Sequence, residues 1–170
     1  MNEVIELENT IRSRHSVRAF RPEPVAKDLI ERILATACYA PSATNTQPWQ
    51  VYVVQGKVRD EIIKRACASY DEEIANPGQS KYSFDRNYYP EKWFSPYQER
   101  RRQIGWQLYG LLGIKREDKA AMIAQQRRNF MFFGAPVGLF FTIHRDLGIG
   151  SVIDLSLIHI SEPTRQEAIS

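Results

Sequence analysis

The sequence predicts an α+β domain, and three observations carry that expectation. Four long segments place apolar residues at helical spacing. Only two runs, Gln50–Val54 and Val137–Ile143, have the β-branched and aromatic character of strands, so the sheet they describe is unfinished. At 170 residues, 43% hydrophobic and 25% charged, the chain has the size and composition of one domain with a core of its own.

Taken in order, Glu6–Arg12 reads as a short first helix. Arg14-His15-Ser16-Val17-Arg18 follows it, a polar segment with three potential cations and a hydroxyl. Such a cluster suits a phosphate, because guanidinium offers a planar fork of donors. Taken alone it reads more simply as surface charge, since no Gly-rich loop accompanies it.

Pro22 and Pro24 then break the chain, and Leu29, Ile30, Ile33, Leu34 and Ala37 recur at helical spacing between charged residues, which makes an amphipathic helix. That helix delivers the chain to Ala40–Trp49, Ala-Pro-Ser-Ala-Thr-Asn-Thr-Gln-Pro-Trp. Its prolines stiffen the backbone while Ser42, the threonines, Asn45 and Gln47 display short donors and acceptors. The stretch is either a ligand-facing corner or only a helix-to-strand loop. Gln50–Val54 is then a strand ended by Gly56.

Val58, Ile62, Ala66, Tyr70 and Ile74 lie four apart on a helix stopped by Asn76-Pro77-Gly78. Ser80–Tyr97 is irregular and aromatic, with Tyr82, Phe84, Tyr88, Tyr89, Trp93, Phe94 and Tyr97: a lid over a flat ligand, or an extension packed on a partner. Ile104, Leu108 and Leu111 mark a helix that Gly113 ends, and Glu117–Phe133 another ended by Gly134-Ala135-Pro136. Val137–Ile143 is apolar throughout and is expected to be a central strand. His144 is expected in a surface turn. Ser151–Asp154 reads as a helix start with Ser151 as cap.

Charge and composition exclude several classes. A net charge of +3 is too small to imply nucleic acid, and Arg100-Arg101-Arg102 lies inside a helical pattern, where a solvated face is the simpler reading. The apolar runs are far short of the ~20 residues of a membrane span, and the N-terminus has neither the basic region nor the apolar stretch of a secretory signal, so the expected compartment is the cytoplasm. Cys38 and Cys67 have no metal-type spacing and are expected as buried thiols. No metal site is expected.

Together, Arg14–Arg18 and Ala40–Trp49 resemble the two signature segments of the flavin-dependent nitroreductase family, in order, in spacing, in the helix between them and in the strand after Trp49. Phe130–Ile143 resembles that family's next helix and strand, and the likeness runs from about Ile11 to Leu155. The aromatic insert with Arg100–Arg102 and Gly105–Tyr109 is similar to the subgroup that reduces nitroaromatic compounds. The resemblance implies a nitroreductase-like three-layer sandwich, with helices around a mostly antiparallel sheet.

It also implies a site. Arg14, His15, Ser16 and Arg18 would meet the phosphate, ribityl chain and pyrimidine edge of FMN. Pro41, Ser42, Ala43, Asn45 and Gln47 would lie along the isoalloxazine, contributed by the other subunit of a homodimer. NAD(P)H would be the electron donor, in a ping-pong reaction that reduces nitroaromatic compounds or quinones. No catalytic acid, base or nucleophile is named in the protein, because the flavin carries the chemistry. The alternatives are enone reduction, dehalogenation, or flavin binding without turnover.

One departure stands out. The helix, strands, Gly-containing segment and late basic residue with which that family continues are missing. In their place Leu155–Arg165 resembles a translated transposase adaptor from sequencing libraries. The expected organisation is therefore an incomplete FMN-binding domain over 1–155, truncated at its C-terminus, and a non-native tail over 156–170. Leu155–Ile160 reads as well as a short strand as a helix, and Pro163 interrupts any helix begun at Ser151. Ser156–Ser170 is expected to pack poorly, and the 170-residue chain, expressed as written, to hold no FMN.

Overall fold

Eight regular elements follow one another in the computed structural model, which describes residues 2–79, 81–82 and 89–161. They fall into two units, one formed by Met1–Asp60 with Gly134–Ser170 and one by Glu61–Phe133. The α+β class expected from the sequence is the class observed.

In the first unit α1 (Asn2–Ser13) leaves Ile5 and Ile11 exposed. α2 (Lys27–Ala37) turns the buried Ile30 and Ala37 inward, with Lys27 and Glu31 paired at 3.3 Å on its exposed side. β1 (Trp49–Gln55) and β2 (Val137–Ile143) pair antiparallel, Trp49 opposite Ile143 and Gln55 opposite Val137. α6 (Ile149–Ser161) packs against β2 and α2. The core lies there: Ala37, Ala40 and Ile158 are buried, with Trp49, Phe141 and Leu155 packed around them. Two alanines at the contact let α6 come close, and burying the Ile158 side chain, 1% exposed, is worth roughly 1.5–3 kcal/mol.

Three expectations for this unit need correction. β2 is not a central strand: it pairs with β1 alone among the described residues, and Phe140 is exposed. Its apolar run registers what the strand can bury, whereas α6 covers it on one side. Second, α6 starts at Ile149, so Ser151 is no cap, and Leu155–Ile160 is helical and not a strand. Third, Ser156–Ser161 continues that helix and the Ile158 side chain is buried, so the expectation of poor packing fails at Ile158. Ile158 follows Asp154 by four positions, which brings both to one face of the helix, and Pro163 lies outside the described residues. Residues 162–170 of the expected tail lie outside the described residues.

The second unit is built on α3 (Gly56–Ala75) from Glu61 onward, α4 (Tyr97–Leu111) and α5 (Lys119–Arg127). Gly56 opens α3 at a φ of 55°, in the left-handed region that glycine adopts without strain. Tyr70 ties α3 to α5: its hydroxyl donates to Gln126 Oε1 at 3.2 Å, its ring stacks 4.9 Å from Phe130, and burial raises its pKa. Arg127 forks onto Asp71 at 2.8 and 2.9 Å.

Glu117–Phe133 is not one helix. Asp118 caps α5 by accepting the Ala121 N–H at 2.9 Å, and a 3-10 turn over Arg128–Gly134 follows, in which Phe132 and Phe133 have φ near 50°. Helical spacing of apolar residues cannot register a left-handed backbone at phenylalanine. In the aromatic insert Phe84 and Tyr88 lie outside the described residues. Phe94 meets Tyr97 edge-on at 5.2 Å, and the Arg101 guanidinium lies 5.2 Å over the Trp93 ring.

Candidate functional site

Both segments singled out from the sequence belong to the first unit. The corner begins where α2 unwinds: the Ala40 N–H donates to Ala37 O at 2.9 Å, and Ser42 is extended, with φ −142° and ψ 155°. A single 3-10 turn, Ala43–Asn45, follows. Thr44, Asn45 and Gln47 have φ of 51°, 55° and 45°, all left-handed. For residues with a Cβ this costs about 1–2 kcal/mol each, so the surroundings must impose it.

Two hydrogen bonds do so. The Gln47 N–H donates to Ser42 Oγ at 3.0 Å, closing the corner on itself. The Ala43 N–H donates to Asp154 Oδ1 at 3.2 Å, tying the corner to α6. Asp154 is buried, and its Oδ2 has no partner among the described residues. The backbone is thereby held while Pro41, Ala43, Asn45 and Gln47 are exposed and Ser42 is half-buried. The side-chain amides of Asn45 and Gln47 bond to no other described residue, so their donors and acceptors face outward.

Arg14–Arg18 is a different kind of structure. It is non-helical, and Arg14, His15, Ser16 and Arg18 are exposed. His15 Nδ1 donates to Ser13 O at 2.9 Å, and Arg18 Nη1 donates to Ser16 O at 3.3 Å. Neither guanidinium pairs with a carboxylate among the described residues. Two unneutralised forks and a hydroxyl make an anion-binding set. No hydrogen bond or ion pair among the described residues joins this segment to the corner.

Asp154 is the residue that sequence reasoning missed. It reads as an acid in the first turn of a helix, and the available signal was its place on the face of the otherwise apolar α6 that carries Ile158. Cys38 also needs correction: it is exposed, because it caps the end of α2 facing away from Ala37, whereas Cys67 is buried as expected. His144 is exposed in its turn, accepting the Asp146 N–H at 3.3 Å. Displaced titrations belong to other elements: hydrogen bonds from Arg127 and Arg65 hold the Asp71 and Glu61 carboxyls below the usual range, and one to Glu72 raises Lys81. Among the described residues no helix is long and apolar enough to cross a membrane.

The corner thus displays exposed amides on a held backbone, and the cation segment displays exposed guanidiniums without carboxylate partners among the described residues. Nitrobenzene nitroreductase of Ectopseudomonas oleovorans is 38% identical over 148 residues, 86% of this chain and 63% of that protein. 4-Nitrobenzoate reductase of Nocardioides sp. is 35% identical over 145 residues, 85% of this chain and 57% of that protein. The chain thus spans about three-fifths of the length of these curated relatives. The crystal structure of FMN and NADPH-dependent nitroreductase NfnB from Sphigopyxis sp. strain HMH superposes with a TM-score of 0.80 at 37% identity, covering 91% of this chain and 67% of that one. The FMN-dependent nitroreductase NfnB from Mycobacterium smegmatis, in complex with NADPH, superposes at 0.83 and 28% identity, covering 94% and 69%. The family profile described as Nitroreductase family matches residues 11–159, and this span includes both segments and β1, β2 and most of α6. The chain belongs to the nitroreductase family.

Proposed function

We propose that this protein is an FMN-dependent NAD(P)H oxidoreductase that reduces nitroaromatic compounds or quinones. The observation that carries the reading is the pairing of a corner whose backbone is already fixed with a segment whose guanidiniums are unneutralised. Bound FMN would supply the chemistry, accepting hydride from NAD(P)H and passing it to a nitro compound or quinone in a separate half-reaction.

The residues present fit that group. Arg14 and Arg18 hold the phosphate with charge-assisted bonds, Ser16 adds a hydroxyl and His15 lines the ribityl chain. Pro41, Ser42 and Ala43 give the flat ring a stiff wall, and Asn45 and Gln47 meet its polar edge with exposed amides. A ring bound against such a wall is oriented before a second flat molecule stacks on it. A homodimer with FMN at the interface, one subunit giving Arg14–Arg18 and the other Pro41–Gln47, belongs to the same proposal. So does the reading of 156–170 as a non-native tail, supported by the likeness of Leu155–Arg165 to adaptor sequence.

The test is to express the protein from its own genomic reading frame through residues 1–154 and beyond, beside the 170-residue chain as written. The genomic protein is expected to purify as a yellow dimer releasing FMN, and to oxidise NADPH with 4-nitrobenzoate or a quinone. FAD in the extract, or no flavin after reconstitution, overturns the function, and a monomer that keeps its flavin overturns the shared site. The chain as written is expected to hold no FMN. Genomic DNA encoding Leu155–Ser170 removes the tail reading.

A further inference from the structure

We infer that Asp154 is the positioning residue of the corner, setting the backbone of Ser42–Gln47 from beneath so that Asn45 and Gln47 present their amides in the geometry that flavin binding requires. The inference rests on the FMN reading above and adds to it a residue that touches no ligand.

A carboxylate buried to 6% exposure costs far more than an apolar side chain of similar size, and replacing such groups by hydrophobes is often neutral or stabilising. Its position therefore asks for a use. The usual uses fail. Asp154 is the sixth residue of α6, too far in to cap it, and it stands in no ion pair among the described residues. What it does is accept the Ala43 N–H at 3.2 Å through Oδ1, across 111 residues of sequence.

That amide opens the 3-10 turn, and the Gln47-to-Ser42 bond closes the loop at its other end. Between these two fixed points lie the three left-handed residues. Without the first point the loop is held only by its own short bonds, and Thr44, Asn45 and Gln47 can relax to right-handed backbone, which swings the displayed amides away. The carboxylate thus holds a strained conformation through one donor.

The experiment compares Asp154→Ala, Asp154→Asn, Ala43→Pro and Ile30→Ala in the protein expressed from its genomic reading frame. Asn keeps an acceptor for the Ala43 N–H, and proline removes that N–H where the preceding residue is already extended. Asp154→Ala and Ala43→Pro are each expected to weaken FMN binding about tenfold or more and to alter the visible circular dichroism of bound flavin. Asp154→Asn should stay within about threefold of the parent, and Asp154→Ala should speed hydrogen exchange at the Ala43 amide. Ile30→Ala removes a buried side chain of α2 outside the corner, and should lower the melting temperature while leaving FMN affinity unchanged. Three results overturn the inference: Asp154→Ala within threefold of the parent, Asp154→Asn as weak as Asp154→Ala, or Ile30→Ala losing as much affinity. A parent that binds no FMN overturns the functional reading instead, and the Ala43 exchange rate then still decides whether Asp154 holds the corner.

Discussion

The corner at Pro41–Gln47 and the segment at Arg14–Arg18 differ in kind, and on the proposed reading they are opposite solutions to the problem of holding one ligand. The corner is rigid and nearly neutral, with its conformation imposed by Ser42 Oγ and Asp154 Oδ1 against the preference of three of its residues. The cation segment is charged and open, and among the described residues its side chains bond to its own neighbours. A flat ring needs a wall that does not move, because its orientation decides the reaction. A phosphate needs charge, and flexible guanidiniums can converge on it wherever the ring has settled.

The two should answer mutation differently. The largest effect is expected from the open segment: Arg14→Ala and Arg18→Ala should each weaken FMN binding by about 1–3 kcal/mol, read by fluorescence titration. Thermal unfolding of the flavin-free protein should barely change, because both side chains are exposed. Unchanged affinity in both variants returns the segment to ordinary surface charge.

The corner should show the reverse, with stability moving first. Asn45→Val puts a β-branched side chain at a φ of 55° and should cost about 1–2 kcal/mol of unfolding free energy, whereas Asn45→Gly should be neutral or stabilising. Equal melting temperatures for the two would mean that the corner is not strained. Ser42→Ala removes the acceptor of the Gln47 N–H and should cost about 0.5–1.5 kcal/mol.

The smallest effect checks that neither segment borrows from charge elsewhere. Asp71 carries a folded-state pKa below its ordinary value because of the Arg127 hydrogen bond. Its contribution to stability is therefore present above the unfolded-state pKa of about 3.9 and is lost as pH falls through the lower folded value. Since the pair is exposed, only a slight flattening of the acid limb is expected in Asp71→Asn, with FMN affinity untouched. A loss of flavin in that variant would tie α3 and α5 to the site.

Much of this was legible in the chain. Val137–Ile143 is strand to the residue, α2 follows its apolar spacing, and the paired segments pointed to the family. What could not be read has common physical roots. The left-handed backbone at Thr44, Asn45, Gln47, Phe132 and Phe133 has no glycine to announce it. Asp154 looked like an acid at a helix start, since nothing local says that Ala43 will lie above it. Cys38 was expected inside, yet one step around the helix from Ala37 carries a side chain from the core to water. For Asp154 and Cys38 the deciding feature is remote in sequence or one rotation away.

Because α6 meets the corner through Asp154 and the core through Ile158, the helix works as a phased part, and its tolerance of length changes should be uneven. In the 170-residue chain as written, one residue inserted between those two positions turns everything beyond it by about 100°, so Ile158 leaves the contact with Ala37 and Ala40 while Asp154 keeps its bond. One residue inserted in the exposed turn from His144 to Gly148 is absorbed before the helix begins. An insertion scan should therefore find permissive sites at 144–148 give way abruptly to intolerance once α6 has started.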